Sequence, residues 1–303
     1  MDQWSSRHRA KSPCISESVL LELKKAIRSS KPAIGVSTNG SFLTPFLWRL
    51  WTSLWLSLPI SWRRATYQLL ENIGNRKWGR PPGTAQQLPL GLYIKFGQAE
   101  HIKSEALATM FVANHTTIPV PTVLDVVPHI KGAAMIMTAL PGDTAGLALH
   151  IGELSREVFE DTMRDWLSQL RSLPTPSGDA VSSYTGGQLR CCRVQDERFG
   201  PFPTISAFHK YIGVGLLSKA YTKQHRIYFT HGDLHLHNIL TRDGRITGLL
   251  DWECAGWWPE YWEYTIAMYF HRMSPSWSAA FNSIFPGYGE ELEAEMAIWE
   301  ILD

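Results

Sequence analysis

Two short runs of β-prone residues stand close together in the second half of the chain. Ile239-Leu240-Thr241 and Ile246-Thr247-Gly248-Leu249-Leu250 flank the polar segment Arg242-Asp243-Gly244-Arg245. An Asp-Gly pair between two such runs is typical of a tight hairpin turn. The sequence therefore predicts a hairpin that brings Asn238, just before the first strand, close to Asp251, just after the second.

Apolar residues recur at helical spacing in two other regions. Between positions 152 and 173 they repeat every three or four residues, which predicts a long amphipathic helix. The residues that form this pattern are Leu154, Val158, Phe159, Met163, Trp166, Leu167 and Leu170. A shorter pattern near the N-terminus, made by Val19, Leu20, Leu23 and Ile27, predicts one short helix.

Three apolar segments of the first half are typical of β-strands. Residues 91–97 alternate around a single charged residue, Lys95, and residues 118–127 resemble a proline-marked entry into a strand. Residues 133–138 predict a buried strand, and the segment 139–142 then breaks the pattern as a linker would. We therefore expect a small sheet from about Tyr67 to Thr138.

The segment 42–62 is dense in tryptophan and leucine, and its length approaches that of a membrane span. Arg49 would be costly in the middle of a bilayer. Pro45 and Pro59 limit the helix to little more than a dozen residues. We expect a helix docked on the rest of the chain, while a helix lying at a membrane surface and a spanning helix remain open alternatives.

Composition narrows the classes of protein that fit. A chain of 303 residues with 44% hydrophobic content can bury a large core, and a net charge of +1 without a basic stripe argues against nucleic-acid binding. A small-molecule partner is favoured instead. The four cysteines form no Cys-x-x-Cys pattern, and Cys191 and Cys192 are adjacent, so we expect reduced thiols and a cytoplasmic protein. No signal or transit peptide is apparent in the first 30 residues.

The hairpin carries side chains suited to phosphoryl transfer. The amide oxygen of Asn238 and the carboxylate of Asp251 can share one hard cation, most simply Mg²⁺. Asp233, in the loop before the hairpin, can face a substrate hydroxyl as a base. Kinase chemistry needs this combination together with a lysine on the nucleotide phosphates.

These residues also carry a family resemblance. The pattern His-Gly-Asp233-x-x-x-x-Asn238, followed by Leu-Asp251-Trp-Glu-x-Ala-Gly-Trp, resembles the aminoglycoside phosphotransferase and choline kinase superfamily. Residues 255–264 are similar to its fungal branch, and the resemblance extends from about 90 to 264. It implies a two-lobed, protein-kinase-like α+β fold with a small antiparallel sheet in the N-lobe and a mostly helical C-lobe. It also implies that Asp233 is the catalytic base and that Asn238 and Asp251 bind magnesium.

The resemblance assigns the nucleotide site as well. It implies that Lys95 binds the ATP phosphates and pairs with Glu105, at the opening of a helical pattern, and that the backbone from Met137 to Leu140 contacts adenine. Taken alone, Lys95 would be an ordinary solvated strand lysine and Glu105 a first-turn carboxylate favoured by the helix dipole. We predict an ion pair between them.

A glycine-rich phosphate loop before the lysine is poorly represented. The candidates are 72–75 and 79–83, and two prolines in the second remove backbone N–H donors that would bind phosphate. We expect 79–83 to be a surface turn. This weakness keeps open a nucleotide-binding pseudokinase or scaffold as an alternative function.

The predicted organisation has three parts: an N-terminal helical extension with the tryptophan-rich segment (1–66), an N-lobe (67–138) and a helical C-lobe (139–303). The predicted function is ATP- and Mg²⁺-dependent phosphorylation of a small-molecule hydroxyl.

Two further patterns, one rich in histidine and one rich in aromatic residues, allow alternative interpretations. The alternating residues His231, Asp233, His235 and His237 would present one ligand face on an extended segment, as in some metal-dependent hydrolases. The aromatic cluster at 257–264 suits core packing, which we favour, or a cage for a cationic acceptor.

Overall fold

The computed structural model describes residues 14–31, 45–80, 83–176, 178–213, 223–272 and 274–302. The chain divides into two compact units. The first unit comprises the described residues of 1–30, 37–106 and 123–139, and the second comprises those of 31–36, 107–122 and 140–303. Both units combine helices with antiparallel strands.

The first unit is built on a four-stranded antiparallel sheet of β1 (Ala85–Leu88), β2 (Leu92–Gly97), β3 (Val123–His129) and β4 (Gly132–Thr138), in the order β1-β2-β4-β3. Buried side chains of these strands form the core of this unit: Leu88, Ile94, Phe96, Leu124, Val127, Ala134 and Ile136. The sheet begins at Ala85, later than the expected start near Tyr67, because residues 60–78 are one helix.

Helices precede this sheet. α1 (Glu17–Ser29) is the short N-terminal helix that the sequence predicted, capped by the Ser16 hydroxyl and burying Leu20, Leu23 and Ile27. α2 (Pro45–Ser57) is limited by the two prolines as expected, and α3 (Ile60–Trp78) buries Tyr67 in the core of the first unit. In the described part of the chain, no helix combines the length and the apolar character needed to cross a bilayer.

The second unit is mainly helical. α4 (Ala99–His115) begins in the first unit, and its later turns contribute Ala108 and Val112 to the core of the second. The other helices are α5 (Ala145–His150), α6 (Arg156–Arg171), α7 (Ile205–Tyr211), α8 (Trp262–His271), α9 (Pro275–Ile284) and α10 (Gly289–Leu302). α6 confirms the long amphipathic helix predicted for 152–173, because its buried residues are those of the apolar pattern except Val158, which is exposed.

Short strands of the second unit hold the functional loops. β5 (Asp143–Thr144), β10 (Ile239–Arg242) and β11 (Arg245–Leu249) form one sheet in the order β11-β10-β5. β6 (Ser182–Ser183), β9 (Ile227–Thr230) and β12 (Gly256–Pro259) form another in the order β6-β12-β9, and β7 (Leu189–Cys191) pairs with β8 (Gln195–Phe199). Residues 231–238 and 250–255 are thereby tied to paired strands at both ends.

The aromatic cluster at 257–264 packs the core of the second unit. Trp257, Trp258, Tyr261, Trp262 and Tyr264 are all at most 4% exposed, which confirms core packing over an open cage. A cation already lies over one of these rings. The guanidinium of Arg193 is 4.1 Å from the centre of the Trp262 ring and 2.7 Å from Glu295.

Candidate active site

The predicted hairpin is present and brings its two ends together. Asp243 and Gly244, the two central turn residues, both have positive φ (52° and 71°), as the tightest hairpin turns require. The N–H of Leu250 donates to the carbonyl of Asn238 at 2.7 Å. Asn238 and Asp251 are therefore neighbours in space, although twelve residues lie between them in the sequence.

The loop that carries Asp233 depends on Gly232. This glycine has a φ of 77°, and a Cβ at this position would lie 2.6 Å from the carbonyl oxygen of Cys254. Neither the conformation nor the space suits a larger residue. The sharp turn at Gly232 directs the chain from β9 into the loop.

His231 braces this loop. Its Nδ1 accepts from the N–H of Asp233 at 3.3 Å, so its proton resides on Nε2, which donates to the carbonyl of Leu250 at 2.8 Å. Both ring nitrogens therefore bind backbone groups. This arrangement does not supply the imidazole ligand that the metal-dependent hydrolase alternative required.

Glu263 holds the same loop from α8, and sequence reasoning assigned it no role. Its carboxylate accepts from the N–H of His231 at 2.6 Å and from that of Gly232 at 3.2 Å. Burial raises the pKa of Glu263 to about 7, although these two hydrogen bonds oppose the shift. The sequence contains one indication of this role, because Glu263 is the single carboxylate among the apolar or neutral residues 262–268.

Asp233 and Asn238 are joined by two hydrogen bonds. The Nδ2 of Asn238 donates to the carbonyl oxygen and to the carboxylate Oδ2 of Asp233, both at 2.9 Å. Burial and then the nearby charge of Asp251 raise the pKa of Asp233 to about 7, while the hydrogen bond from Asn238 lowers it. Asp251 itself adopts a left-handed backbone conformation with a φ of 62°.

These groups fit a divalent cation. The amide nitrogen of Asn238 is committed to Asp233, so its Oδ1 faces away from that residue and is a suitable hard ligand, as is the Asp251 carboxylate. The charges of Asp251 and Glu253 also raise the pKa of Asp233. A bound cation would relieve this accumulation of negative charge.

In the first unit, Lys95 and Glu105 form the predicted ion pair. Lys95 Nζ is 2.9 Å from Glu105 Oε2, and the side chains are 8% and 3% exposed. Lys95 is therefore not an ordinary solvated strand lysine. Glu105 lies in the second turn of α4 and not at its opening, because the helix already begins at Ala99.

The segment predicted to contact adenine, Met137 to Leu140, begins on β4 and continues beyond its end. Met137 lies on β4 opposite Tyr93 of β2, and the next amide beyond this strand, that of Ala139, already donates to the carbonyl of Gly91 at 2.8 Å. In the second unit, the side chain of Leu140 lies against Gly248. Adenine contact by this segment remains a prediction.

Of the two candidate glycine turns, 72–75 is not a phosphate loop, while 79–83 is described only in part. Gly74 is buried within α3, and Gly79 ends that helix, while residues 81–82 lie outside the described residues. The turn that precedes the lysine strand is Pro89–Gly91, in which Pro89 has no N–H to donate.

Known proteins resemble this chain at the level of fold and family. The model of the phosphotransferase enzyme family (APH) matches residues 94–299. The apo form of a thermostable mutant of aminoglycoside phosphotransferase APH(4)-Ia is 17% identical, with a TM-score of 0.51, covering 76% of this chain and 88% of that one. Aminoglycoside phosphotransferase APH(3'')-Id from Streptomyces rimosus is also 17% identical, with a TM-score of 0.49 and coverage of 78% and 97%. No curated protein sequence matches. The fold is a kinase-like α+β fold, as the sequence predicted.

Proposed function

Because the chain belongs to the phosphotransferase enzyme family, we propose that it transfers a phosphoryl group from ATP, with Mg²⁺, to a hydroxyl of a small molecule. The observation that carries the proposal is the arrangement around Asp233. The loop is held by Glu263, and the Asp233 carboxylate is oriented by Asn238 at 2.9 Å. Fixed orientation of a base supplies much of the rate in phosphoryl transfer.

Asp233 acts as the base in this proposal. Its carboxylate accepts the proton of the acceptor hydroxyl while the acceptor oxygen bonds to the γ-phosphorus and the bond from that phosphorus to the ADP oxygen breaks. Burial raises the pKa of this carboxyl group and so makes it a stronger base, whereas a cation bound at Asp251 would lower the pKa again.

Asn238 and Asp251 would hold Mg²⁺ through oxygen atoms, and the ion would neutralise the phosphate charge. Lys95, oriented by Glu105, would bind the α- and β-phosphates, and the backbone from Met137 to Leu140 would contact adenine. Free cysteines support a cytoplasmic location for the reaction.

A second candidate function is nucleotide binding without turnover. One observation favours it: Pro89 stands in the turn before the lysine strand and has no N–H to bind phosphate. Such a protein would offer few backbone amides to the phosphates. It would bind Mg²⁺ and the nucleotide through its side chains alone.

Two measurements separate these functions. Thermal unfolding with ATP, in the presence and absence of Mg²⁺, tests binding, and ADP release during a metabolite screen tests turnover. We expect Asp251→Asn to remove the Mg²⁺-dependent stabilisation and Asp233→Asn to reduce turnover by about 10²- to 10⁴-fold. Asp243→Asn, in the exposed hairpin turn, is the matched control because asparagine tolerates positive φ.

Three outcomes are decisive. Wild-type protein without any Mg²⁺-dependent shift contradicts the enzyme proposal. A shift without turnover of any acceptor supports the nucleotide-binding alternative. Turnover by Asp233→Asn equal to that of Asp243→Asn removes Asp233 from its assigned role.

A further inference from the structure

α2 and the short connection after it expose an apolar surface. Leu50, Trp51, Leu54 and Leu58 are all exposed, with Leu54 at 61%, and their spacing of three and four residues places them on one side of the helix. Residues 50–62 contain no charged side chain. An exposed apolar face of this size on a folded unit is typical of a binding surface.

α3, the next helix in the chain, carries a second exposed stripe that is mainly apolar. Trp62, Thr66, Leu69 and Ile73 follow at steps of four, three and four residues and are all exposed, with Trp62 at 68% and Leu69 at 60%. The buried residues of the helix, which include Tyr67 and Gly74, lie about a third of a turn around the helix from this stripe. The helix therefore has a second apolar face that the packing of this unit does not use.

A network of hydrogen bonds and one ion pair fixes α2 and α3 to strand β3. The indole N–H of Trp55 donates to the Tyr67 hydroxyl at 2.6 Å and to Asp125 at 3.2 Å, and Arg63 forms a buried ion pair with the same carboxylate. Tyr67 also donates to Asp125 at 3.1 Å. This network links α2, α3 and β3, so the outward apolar residues form a fixed surface.

Positive charge accompanies this surface. Arg76 and Lys77 follow Ile73 by three and four residues, so they extend the apolar stripe of α3, and both are exposed. Within residues 50–80, Glu71 is the single acidic residue, against five basic ones: Arg63, Arg64, Arg76, Lys77 and Arg80. Of these, Arg63 is neutralised by its buried partner Asp125.

We propose that this outer face of α2 and α3, called here the α2–α3 face, docks on the surface of a membrane that contains anionic lipids. Tryptophan and leucine at the level of the headgroups, with arginine and lysine beside them, are the features of helices that lie in the membrane interface. The cytoplasmic leaflet carries the complementary negative potential. If the face bound a second copy of the chain, two positively charged surfaces would meet and repel each other.

Vesicle flotation of the full chain tests the proposal. We expect binding to phosphatidylcholine vesicles that contain about 30 mol % phosphatidylserine, and roughly fivefold weaker binding for each basic residue removed from the face. Arg76→Gln and Lys77→Gln test this contribution. The double variant Leu54→Ser/Trp62→Ser removes two of the most exposed apolar side chains, and we expect it to bind at least about tenfold more weakly.

The matched control is Ile130→Ser, which removes an 81% exposed apolar side chain from the turn between β3 and β4. All of these positions are exposed, so circular dichroism and thermal unfolding should be unchanged. The proposal is overturned if wild-type protein does not float with the phosphatidylserine-containing vesicles, or if Leu54→Ser/Trp62→Ser and Ile130→Ser bind these vesicles alike. A dimer in light scattering that Leu54→Ser/Trp62→Ser dissociates, without vesicle binding, would assign the face to a second copy. The turnover measurements proposed above use neither detergent nor vesicles, so their results do not depend on whether the protein binds membranes.

Discussion

Glu263→Gln offers a quantitative test of how the catalytic loop is held. The substitution keeps the size of the side chain but removes the ionisable group that binds the amides of His231 and Gly232. Because the pKa of Glu263 is raised from 4.5 to about 7, the folded protein binds this proton more tightly than the unfolded chain does. Its contribution to stability is therefore complete below pH 4.5 and is lost as the pH rises to 7.

The size of this effect follows from the two pKa values. Linkage gives a loss of roughly 2–3 kcal/mol in the free energy of unfolding between pH 5 and pH 8 from this one group. Other groups with raised pKa values, such as Asp233, contribute to the pH dependence of both proteins. The difference between wild type and Glu263→Gln therefore isolates Glu263.

Urea unfolding at pH 5 and pH 8, followed by tryptophan fluorescence, measures this difference. Glu157→Gln, on the exposed side of α6, is the control and should retain the wild-type pH dependence. Glu263→Gln should also lower kcat more than it raises KM, because one of the two loop amides loses its acceptor and Asp233 shifts. An identical pH dependence in wild type and Glu263→Gln would refute the reasoning.

Three further predictions follow from the same structure. Gly232→Ala should destabilise the protein by about 1–3 kcal/mol in urea unfolding and abolish turnover, because the added Cβ meets a backbone carbonyl at a positive φ. Arg193→Ala should cost about 3–5 kcal/mol in the same assay by leaving Glu295 buried without its partner, whereas the double variant Arg193→Met/Glu295→Leu should cost far less. Glu105→Gln should weaken nucleotide affinity in calorimetry without lowering the unfolding temperature by as much as Lys95→Ala, since only the orientation of the lysine is lost.

Local patterns in the sequence were sufficient for the hairpin, whereas the lysine–glutamate pair was predicted from the family resemblance. The turn at Asp243 and Gly244 requires positive φ at two adjacent residues, and few residue pairs other than Asp-Gly or Asn-Gly meet this requirement cheaply. The residues around Lys95 and Glu105, read alone, favoured a solvated lysine and a first-turn carboxylate, so the ion pair between them needed the resemblance to be predicted.

Contacts between residues far apart in the chain could not be predicted from the sequence. Glu263 binds amides that lie about thirty residues earlier in the chain, and no local pattern connects a helix carboxylate with a distant loop. α3 was missed as a helix for a different reason. Its buried side includes the charged residue Arg63, and its exposed side includes Trp62, Leu69 and Ile73, so its residues give no clear one-sided periodicity.

The left-handed conformation of Asp251 has a consequence for the evolution of this protein. An aspartate at a φ of 62° is less stable there than glycine would be, because glycine has no Cβ. Selection for thermal stability alone would therefore replace this aspartate, and the replacement would remove the carboxylate proposed to bind magnesium. If Asp251 binds magnesium as proposed, its carboxylate is retained at a cost in backbone energy, and Asp251→Gly should raise the unfolding temperature while it removes the Mg²⁺ site.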